Sequence, residues 1–309
     1  MSSSKRILLM LALIAMWSPS FLFIKLALLD LPPMTIAASR ITLAFCILFC
    51  ILCIKGYSLP KTLKFWTHAT VMGIFSTALP FCLFCYAEQT IDSSLAAILN
   101  GTVPMFTALL AHLFIPQDRL NFPKAIGISL CAIGLVSLFA PNLLQGVTGT
   151  TLGMLAAGTA AFSYAVQHIY GKKYFTGHKP FIAPTAALLT ANLLLWPFAF
   201  AFENPLQLNV PSMTAVLGVC GLAVFGTACA FVIYYKLLEQ SGPTAISLVA
   251  CVFPVGGMLL GMFFLGETFT FGNMLSAGLI LLGMGIVNQI VPLPFLTAQK
   301  PAVEKKQES

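Results

Sequence analysis

Apolar residues run along this chain in long unbroken blocks, and polar residues collect in short breaks between them. A helix needs about 20 mostly apolar residues to cross roughly 30 Å of hydrocarbon at about 1.5 Å per residue. Ten stretches reach that length, at about 7–29, 34–54, 65–87, 93–115, 122–140, 150–170, 181–202, 212–235, 243–265 and 271–291. The breaks carry turn signals: Pro32 and Pro33, Gly56 to Pro60, Asp92 to Ser94, Pro116 to Pro123, Pro141 to Gly149, Gly177 to Pro180, Asn204 to Pro211, and Gly242 with Pro243. Backbone groups in hydrocarbon must pair internally, which leaves helices or a closed barrel. The blocks lack the period-2 alternation of a barrel strand, so the pattern predicts an all-α integral membrane protein.

Composition agrees. The 309 residues are 59% hydrophobic and 8% charged, against about 25% charged in a soluble domain. This argues against a soluble enzyme, a nucleic-acid reader or a secreted disulfide scaffold, and makes the lipid bilayer the first partner. The net charge of +7 does not point to nucleic acid, because the basic residues are scattered singly. All nine cysteines lie inside apolar runs and read as packing residues. The Cys50/Cys53 and Cys82/Cys85 pairs lack the further ligands that a zinc site needs, so no metal is expected. Lys5 and Arg6 before an apolar run resemble a signal peptide. No Ala-x-Ala site follows and the run continues to Leu29, so an uncleaved first helix is expected.

Charge placement sets the orientation, since cytoplasmic loops collect Lys and Arg. With both termini in the cytoplasm, the inside segments hold Lys5, Arg6, Lys55, Lys61, Lys64, Arg119, Lys124, Lys172, Lys173, Lys179, Lys236, Lys300, Lys305 and Lys306. Only Lys25 and Arg40 remain, within the first two stretches, and the outer ends carry Asp30, Glu88, Asp92, Glu203 and Glu267. A different helix count would invert every later loop and scramble this division. The tail from Pro292 to Ser309 is polar and is expected to be a disordered cytoplasmic segment.

Shifting the chain on itself by about 150 residues sets Leu95–Gly134 beside Ala245–Gly283. Pro104 then falls on Pro254, Asp118 on Glu267, Gly134 on Gly283, Trp17 near Tyr164 and Lys25 near Lys172. This predicts a first five-helix half over 1–140 and a second over 149–291. Five is odd, so the second half enters the membrane from the opposite side, as in transporters with inverted repeats.

The motifs resemble those of EamA-type members of the drug/metabolite transporter superfamily, from about Leu8 to Val291. Met16-Trp17-Ser18-Pro19-Ser20-Phe21 with Ile24-Lys25 is similar to that family's first helix, with Ser18 in place of the usual Gly. Pro33 followed by Ser39-Arg40 and Ala44 resembles its second. Pro254, Leu265-Gly266-Glu267 and Gly278-Leu279-Ile280-Leu281-Leu282-Gly283 resemble its Pro, Leu-Gly-Glu and Leu-Ile-Leu-x-Gly signature. In the first half the copy has drifted to Pro116-Gln117-Asp118-Arg119. The resemblance implies two five-helix halves around a central substrate cavity, and export or exchange of amino acids or other small metabolites.

Polar and aromatic groups in mid-helix are costly in lipid unless they face the bundle or a wet cavity, so they are the candidate substrate contacts. Asn100, Pro104 and Thr107 share one stripe, and Pro104 leaves the Asn100 carbonyl without its helical donor. Pro254 does the same in the ninth stretch, with a packing kink as the alternative for both. Tyr164 and His168 share a face, with Ser163 and Gln167 beside them. A histidine there is a candidate proton carrier, because its unperturbed pKa lies near neutrality; a plain hydrogen bond to a neighbour is the alternative. Trp17, with a lipid-facing or core aromatic as the alternative, and Ser20 complete the candidate set. Tyr86, Tyr234 and Tyr235 read as interfacial anchors. Lys25 and Arg40 are expected to snorkel or pair with Asp30, and holding a substrate carboxylate is the alternative role. Gly257 and Gly261 form a small-residue pair for close helix packing, within one bundle or in a homodimer; either a monomer or a homodimer fits.

There is no P-loop, no H-E-x-x-H and no G-x-S-x-G, so neither catalytic residues nor a cofactor are expected and the chain does not read as an enzyme. The sequence points to a secondary transporter in a bacterial-type plasma (inner) membrane, exporting small molecules, with amino acids as the leading class. Import or obligate exchange is the alternative, and an intramembrane enzyme or scaffold ranks below both.

Overall fold

The computed structural model describes residues 3–116, 118–144, 146–174 and 181–291, and within them all side chains except those of Ser3 and residues 238–245. The tail from Pro292 and the turn Gly177 to Pro180 lie outside the described residues; among the described residues no strand occurs. The helices are α1 (Ser3–Trp17), α2 (Ser20–Ala27), α3 (Pro33–Ile54), α4 (Leu63–Gly73), α5 (Leu79–Ala87), α6 (Ser93–Asn100), α7 (Val103–Phe114), α8 (Phe122–Leu144), α9 (Gly149–Tyr174), α10 (Ile182–Phe202), α11 (Met213–Ala223), α12 (Ala230–Leu265) and α13 (Phe271–Val287). Grouped as near-continuous runs, eight are long and apolar enough to cross a membrane, and α13 is a shorter apolar helix. α9 has 26 residues but a more polar composition, because all its buried positions except Met154 are Gly, Ala, Ser or Thr. Small residues let it run through the middle of the bundle, against α5, α6 and α7.

Several runs are interrupted where proline or extra hydrogen-bond donors intervene. α1 and α2 are separated at Ser18-Pro19, and α6 and α7 at Gly101-Thr102, just before Pro104. Single π-helical segments, Ile74–Ala78 and Val224–Cys229, join α4 to α5 and α11 to α12. They lie 150 residues apart, and each carries a buried threonine, Thr77 or Thr227, that donates to a carbonyl upstream, of Gly73 or Leu222. π-bulges of this kind cluster at functional sites.

Two expected breaks differ. α8 continues through Pro141 to Leu144, because a proline in the last turn removes only one hydrogen bond. α12 is helical across Gly242 and Pro243, where a loop between two stretches is expected. It is not a straight rod. Tyr234 and Phe253 are 19 residues apart, about 28 Å along an ideal helix. Their ring centroids nevertheless lie 6.0 and 5.6 Å from that of Trp17, so the axis turns between them and the chain packs back on itself.

Two large apolar clusters form the core, and Tyr164 packs against both. α8 and α13 make the tightest pair: a Cβ on Gly134 would sit 2.8 Å from the Ser276 carbonyl, and one on Gly127 2.7 Å from the Gly283 carbonyl. Gly257 faces Ala97 and Phe21 in the same way, so this small-residue pair packs within one chain. Large apolar side chains also cover the outer surface, including Phe263 and Phe271 at over four-fifths exposure, as a lipid-facing surface requires.

One end of the bundle is tied together by carboxylates placed at helix N-termini. Glu203, after α10, accepts from the backbone N–H of Met34 (2.8 Å) and Thr35 (2.7 Å) and from the Thr35 hydroxyl. Glu267, after α12, accepts from the N–H of Ser93 (2.7 Å) and Ser94 (2.9 Å) and from the Ser94 hydroxyl. Asp30, after α2, accepts from the N–H (2.8 Å) and hydroxyl of Ser212. Each satisfies unpaired N–H groups and complements the positive end of a helix dipole. At the other end Asp118 pairs with Lys124 (2.6 Å) and Lys172 (3.6 Å).

Candidate substrate site

Arg40 is the group around which the site is built. It lies on α3, two turns from the Glu203 cap, and is 6% exposed. Its guanidinium carbon is 3.6 Å from the ring centroid of Phe81 on α5, a cation–π contact. Nε donates to the Thr227 hydroxyl (2.9 Å), and one Nη reaches the Gly226 carbonyl at 3.4 Å. Both partners lie in the π segment between α11 and α12. Ser20 flanks the same place, since a Cβ on Gly226 would meet its hydroxyl at 3.0 Å and Arg40 at 3.5 Å. Tyr164 and Cys85 lie near the guanidinium. Among the described residues no carboxylate lies within 4 Å of it. A guanidinium has five donors, so this cation retains capacity for an anionic oxygen.

An aromatic strip extends from this point. Tyr164 stacks on Phe84 at 6.2 Å, and Phe84 meets Phe21 edge-on at 5.4 Å. One turn below Phe21, Trp17 bridges Tyr234 and Phe253. Pro254 is buried next to Phe253, whose carbonyl accepts from the Ser18 hydroxyl at 3.2 Å. On the other side, His168 stands one turn along α9 from Tyr164 and is exposed, with Nδ1 3.5 Å from the Thr107 hydroxyl on α7. Gln167 beside it is half-buried. Asn100, at the end of α6, is buried with its side-chain carbonyl oxygen unpartnered. The sequence-derived candidates thus fall into three neighbouring groups: Ser20 and Tyr164 around Arg40, Trp17 with Pro254, and Asn100, Pro104 and Thr107 with Gln167 and His168.

Three expectations need correction. Arg40 does not pair with Asp30, because Asp30 is taken by Ser212 and Arg40 lies inside the bundle. Lys25 does not pair with Asp30 either; its Nζ donates to the Glu88 backbone carbonyl at 2.7 Å. Tyr234 and Tyr235 are not belt residues, since Tyr234 packs on Trp17 and Tyr235 meets Phe181 edge-on at 6.0 Å. Tyr86 is exposed as an interfacial residue would be. The contributions of Phe81, Gly226 and Thr227 are absent from the sequence reading. The threonine shared by the two π segments is the one signal that marks them. A shallow concavity of about 350 Å³ on α8, lined by Ala132, Ile133, Val136 and Ser137, lies away from this site and offers a ligand only one hydroxyl.

The EamA-like transporter family model matches residues 4–140 and again residues 151–289. The chain belongs to the EamA-like transporter family. Its two matches describe a two-repeat architecture for a membrane transporter with a small-molecule substrate. The chain is 28% identical over 278 residues to the uncharacterized inner membrane transporter YedA of Escherichia coli K12, covering 89% of this chain and 88% of that one. It is 25% identical over 282 residues to an uncharacterized transporter of Archaeoglobus fulgidus, covering 89% and 95%. It is also 25% identical over 273 residues to the uncharacterized transporter YoaV of Bacillus subtilis, covering 87% and 91%. A solved structure titled only as the crystal structure of a protein shares the fold, with a TM-score of 0.66 and 19% identity over 94% of this chain and 99% of that one. Within this EamA family member, the Arg40 constellation sits where the second, third and eighth apolar runs meet.

Proposed function

We propose that this EamA family member is a secondary transporter that exports amino acids or related small carboxylates across a bacterial-type inner membrane. Ten helices cross the bilayer as two inverted five-helix repeats with both termini in the cytoplasm, and alternating access carries substrate past Arg40. The observation that carries this reading is the buried Arg40 guanidinium with no carboxylate within ion-pair distance among the described residues. An isolated buried cation is costly, and a substrate carboxylate would supply its counter-ion through a two-bond fork. The Asn100 carbonyl freed by Pro104 is an acceptor for the substrate ammonium, and Trp17, Ser20, Thr107, Tyr164, Gln167 and Pro254 line the path. His168 is the candidate proton carrier of the strip, as the side-chain type whose unperturbed pKa lies nearest neutrality.

The test is efflux of a labelled amino-acid panel from cells carrying the protein, with an empty-vector arm and a protonophore arm. Faster loss of one subset, slowed by Arg40→Gln, supports the reading. Unchanged efflux in a normally inserted Pro104→Ala/Trp17→Ala/Tyr164→Phe variant counts against the path. Movement only when a counter-substrate is supplied identifies an exchanger.

A further inference from the structure

Glu88 is the most completely enclosed carboxyl among the described residues. It caps α5 immediately after the apolar run Leu63–Ala87, is 1% exposed, and neither of its carboxyl oxygens has a hydrogen-bond partner. The charged groups around it come from three elements. Lys25 on α2 spends its ammonium on the backbone carbonyl of Glu88 and makes no ion pair with the carboxyl. Glu267 follows α12, and its negative charge acts on Glu88 while its oxygens cap α6. Asp92, in the same turn as Glu88, feels both Glu267 and Lys25. Cys85, one turn back on α5, is buried and uncharged in ordinary conditions.

A carboxylate with two bare oxygens, no cation in contact and a second carboxylate nearby is a poor place for a negative charge. The neutral acid suits it. We propose that Glu88 is a proton-binding site of this transporter, protonated while the Glu267 clamp holds the carboxylate-bearing end shut and releasing its proton to water when that end opens. Burial raises the Glu88 pKa well above the usual carboxylate value, Lys25 opposes this, and Glu267 adds to it. Opening would break the Glu267 caps on Ser93 and Ser94, hydrate Glu88 and free Lys25 to pair with it. One O–H bond breaks, the proton passes to the outer water and the carboxylate remains. Closing reverses each step, so opening of the outer end is linked to one proton. This inference rests on the transporter reading for its role in transport, but not for the protonation state itself.

The experiment uses the full-length protein in lipid vesicles and has two readouts. Infrared spectroscopy at neutral pH should show the carbonyl stretch of a protonated carboxylic acid, absent from Glu88→Gln and retained in Glu203→Gln. In the same vesicles exchange of a labelled amino acid by wild type should slow as the pH at the carboxylate-bearing face falls, because opening releases a proton there, whereas exchange by Glu88→Gln should no longer depend on that pH. Glutamine mimics the neutral acid, so the variant should fold. If it does not, titration of the wild-type band decides, since a band lost below pH 6 overturns the proposal. A missing band in wild type, or a pH dependence of exchange that persists in Glu88→Gln, also overturns it. If wild type moves no amino acid, the substrate reading fails, and the presence or loss of the band still decides whether Glu88 holds the proton.

Discussion

Arg40 and Thr227 are joined by a 2.9 Å hydrogen bond that ties α3 to the π segment between α11 and α12. At the position 150 residues after Arg40, Thr190 on α10 donates to the Ala69 carbonyl of α4 at 3.1 Å, one turn before the other π segment. The halves therefore make corresponding cross-links, but only one of them places a cation in the core. A repeat that needed the cross-link for stability alone would have no use for a charge.

Arg40→Met should accordingly separate stability from transport. Replacing a buried ion by an apolar chain of similar volume is often neutral or stabilising. The thermal midpoint of the purified variant should be equal to or above that of wild type. Loss of a charge-assisted fork to a carboxylate, about 1.5–3 kcal/mol, should slow efflux of carboxylate substrates roughly 10- to 100-fold. Arg40→Lys keeps the charge but not the fork and should fall between the two. Equal efflux in wild type and Arg40→Met would assign Arg40 to architecture.

The apolar runs were legible because hydrocarbon demands length, and Pro and Gly punctuate them. The candidate strip was legible through Pro104, Tyr164 and Trp17, which are out of place in lipid. The partners of the charged residues were not. Asp30 is near Lys25 in sequence, yet Ser212 claims it, and Glu88 reads as an ordinary helix-end acid until Lys25, 63 residues away, and the segment after α12 enclose it. The helix starts Pro33-Met34-Thr35, Asp92-Ser93-Ser94 and Pro211-Ser212 carry hydroxyls suited to a carboxylate, but nothing local says which acid arrives. Side chains assigned to a local partner fail where tertiary contacts supply a stronger one.

The Glu267 clamp should show itself in acid. Burial alone would raise the Glu267 pKa, but hydrogen bonds from the Ser94 hydroxyl and from the N–H groups of Ser94 and Ser93 bring it below its ordinary value of 4.5. A depressed folded pKa contributes stability that is complete above about pH 4.5 and is lost as pH falls through the lowered value. Glu267→Gln should cost about 1 kcal/mol at neutral pH, in line with loss of a helix cap. Thermal midpoints of wild type and variant should differ at neutral pH and converge below pH 4. A constant gap across that range would remove the carboxylate from the account.

Close packing of α8 on α13 rests on missing side chains. A Cβ at Gly283 would run into the Gly127 carbonyl and the backbone and thiol of Cys131, all parts that cannot move aside without separating the helices. Gly283→Val should destabilise the protein by several kcal/mol and sharply lower the yield of folded protein from membranes. Gly278→Val, on the same helix with open space around it, is the control and should express normally. Equal yields of the two variants would mean that these helices are not in contact.

Pro104 tests whether a broken helix is a packing device or part of the substrate path. α6 ends at Asn100 and α7 begins at Val103, so the Asn100 backbone carbonyl has no helical donor from position 104. Pro104→Ala restores that N–H and allows α6 and α7 to join, which should leave the thermal midpoint unchanged or raise stability by up to about 1 kcal/mol. If the open carbonyl accepts a substrate ammonium, efflux of amino acids should fall roughly 10-fold, while their deaminated carboxylate analogues, which rely on Arg40 alone, should be much less affected. Arg40→Met should slow both classes. Equal loss of both classes in Pro104→Ala would make the break a hinge, because a hinge serves every cargo alike.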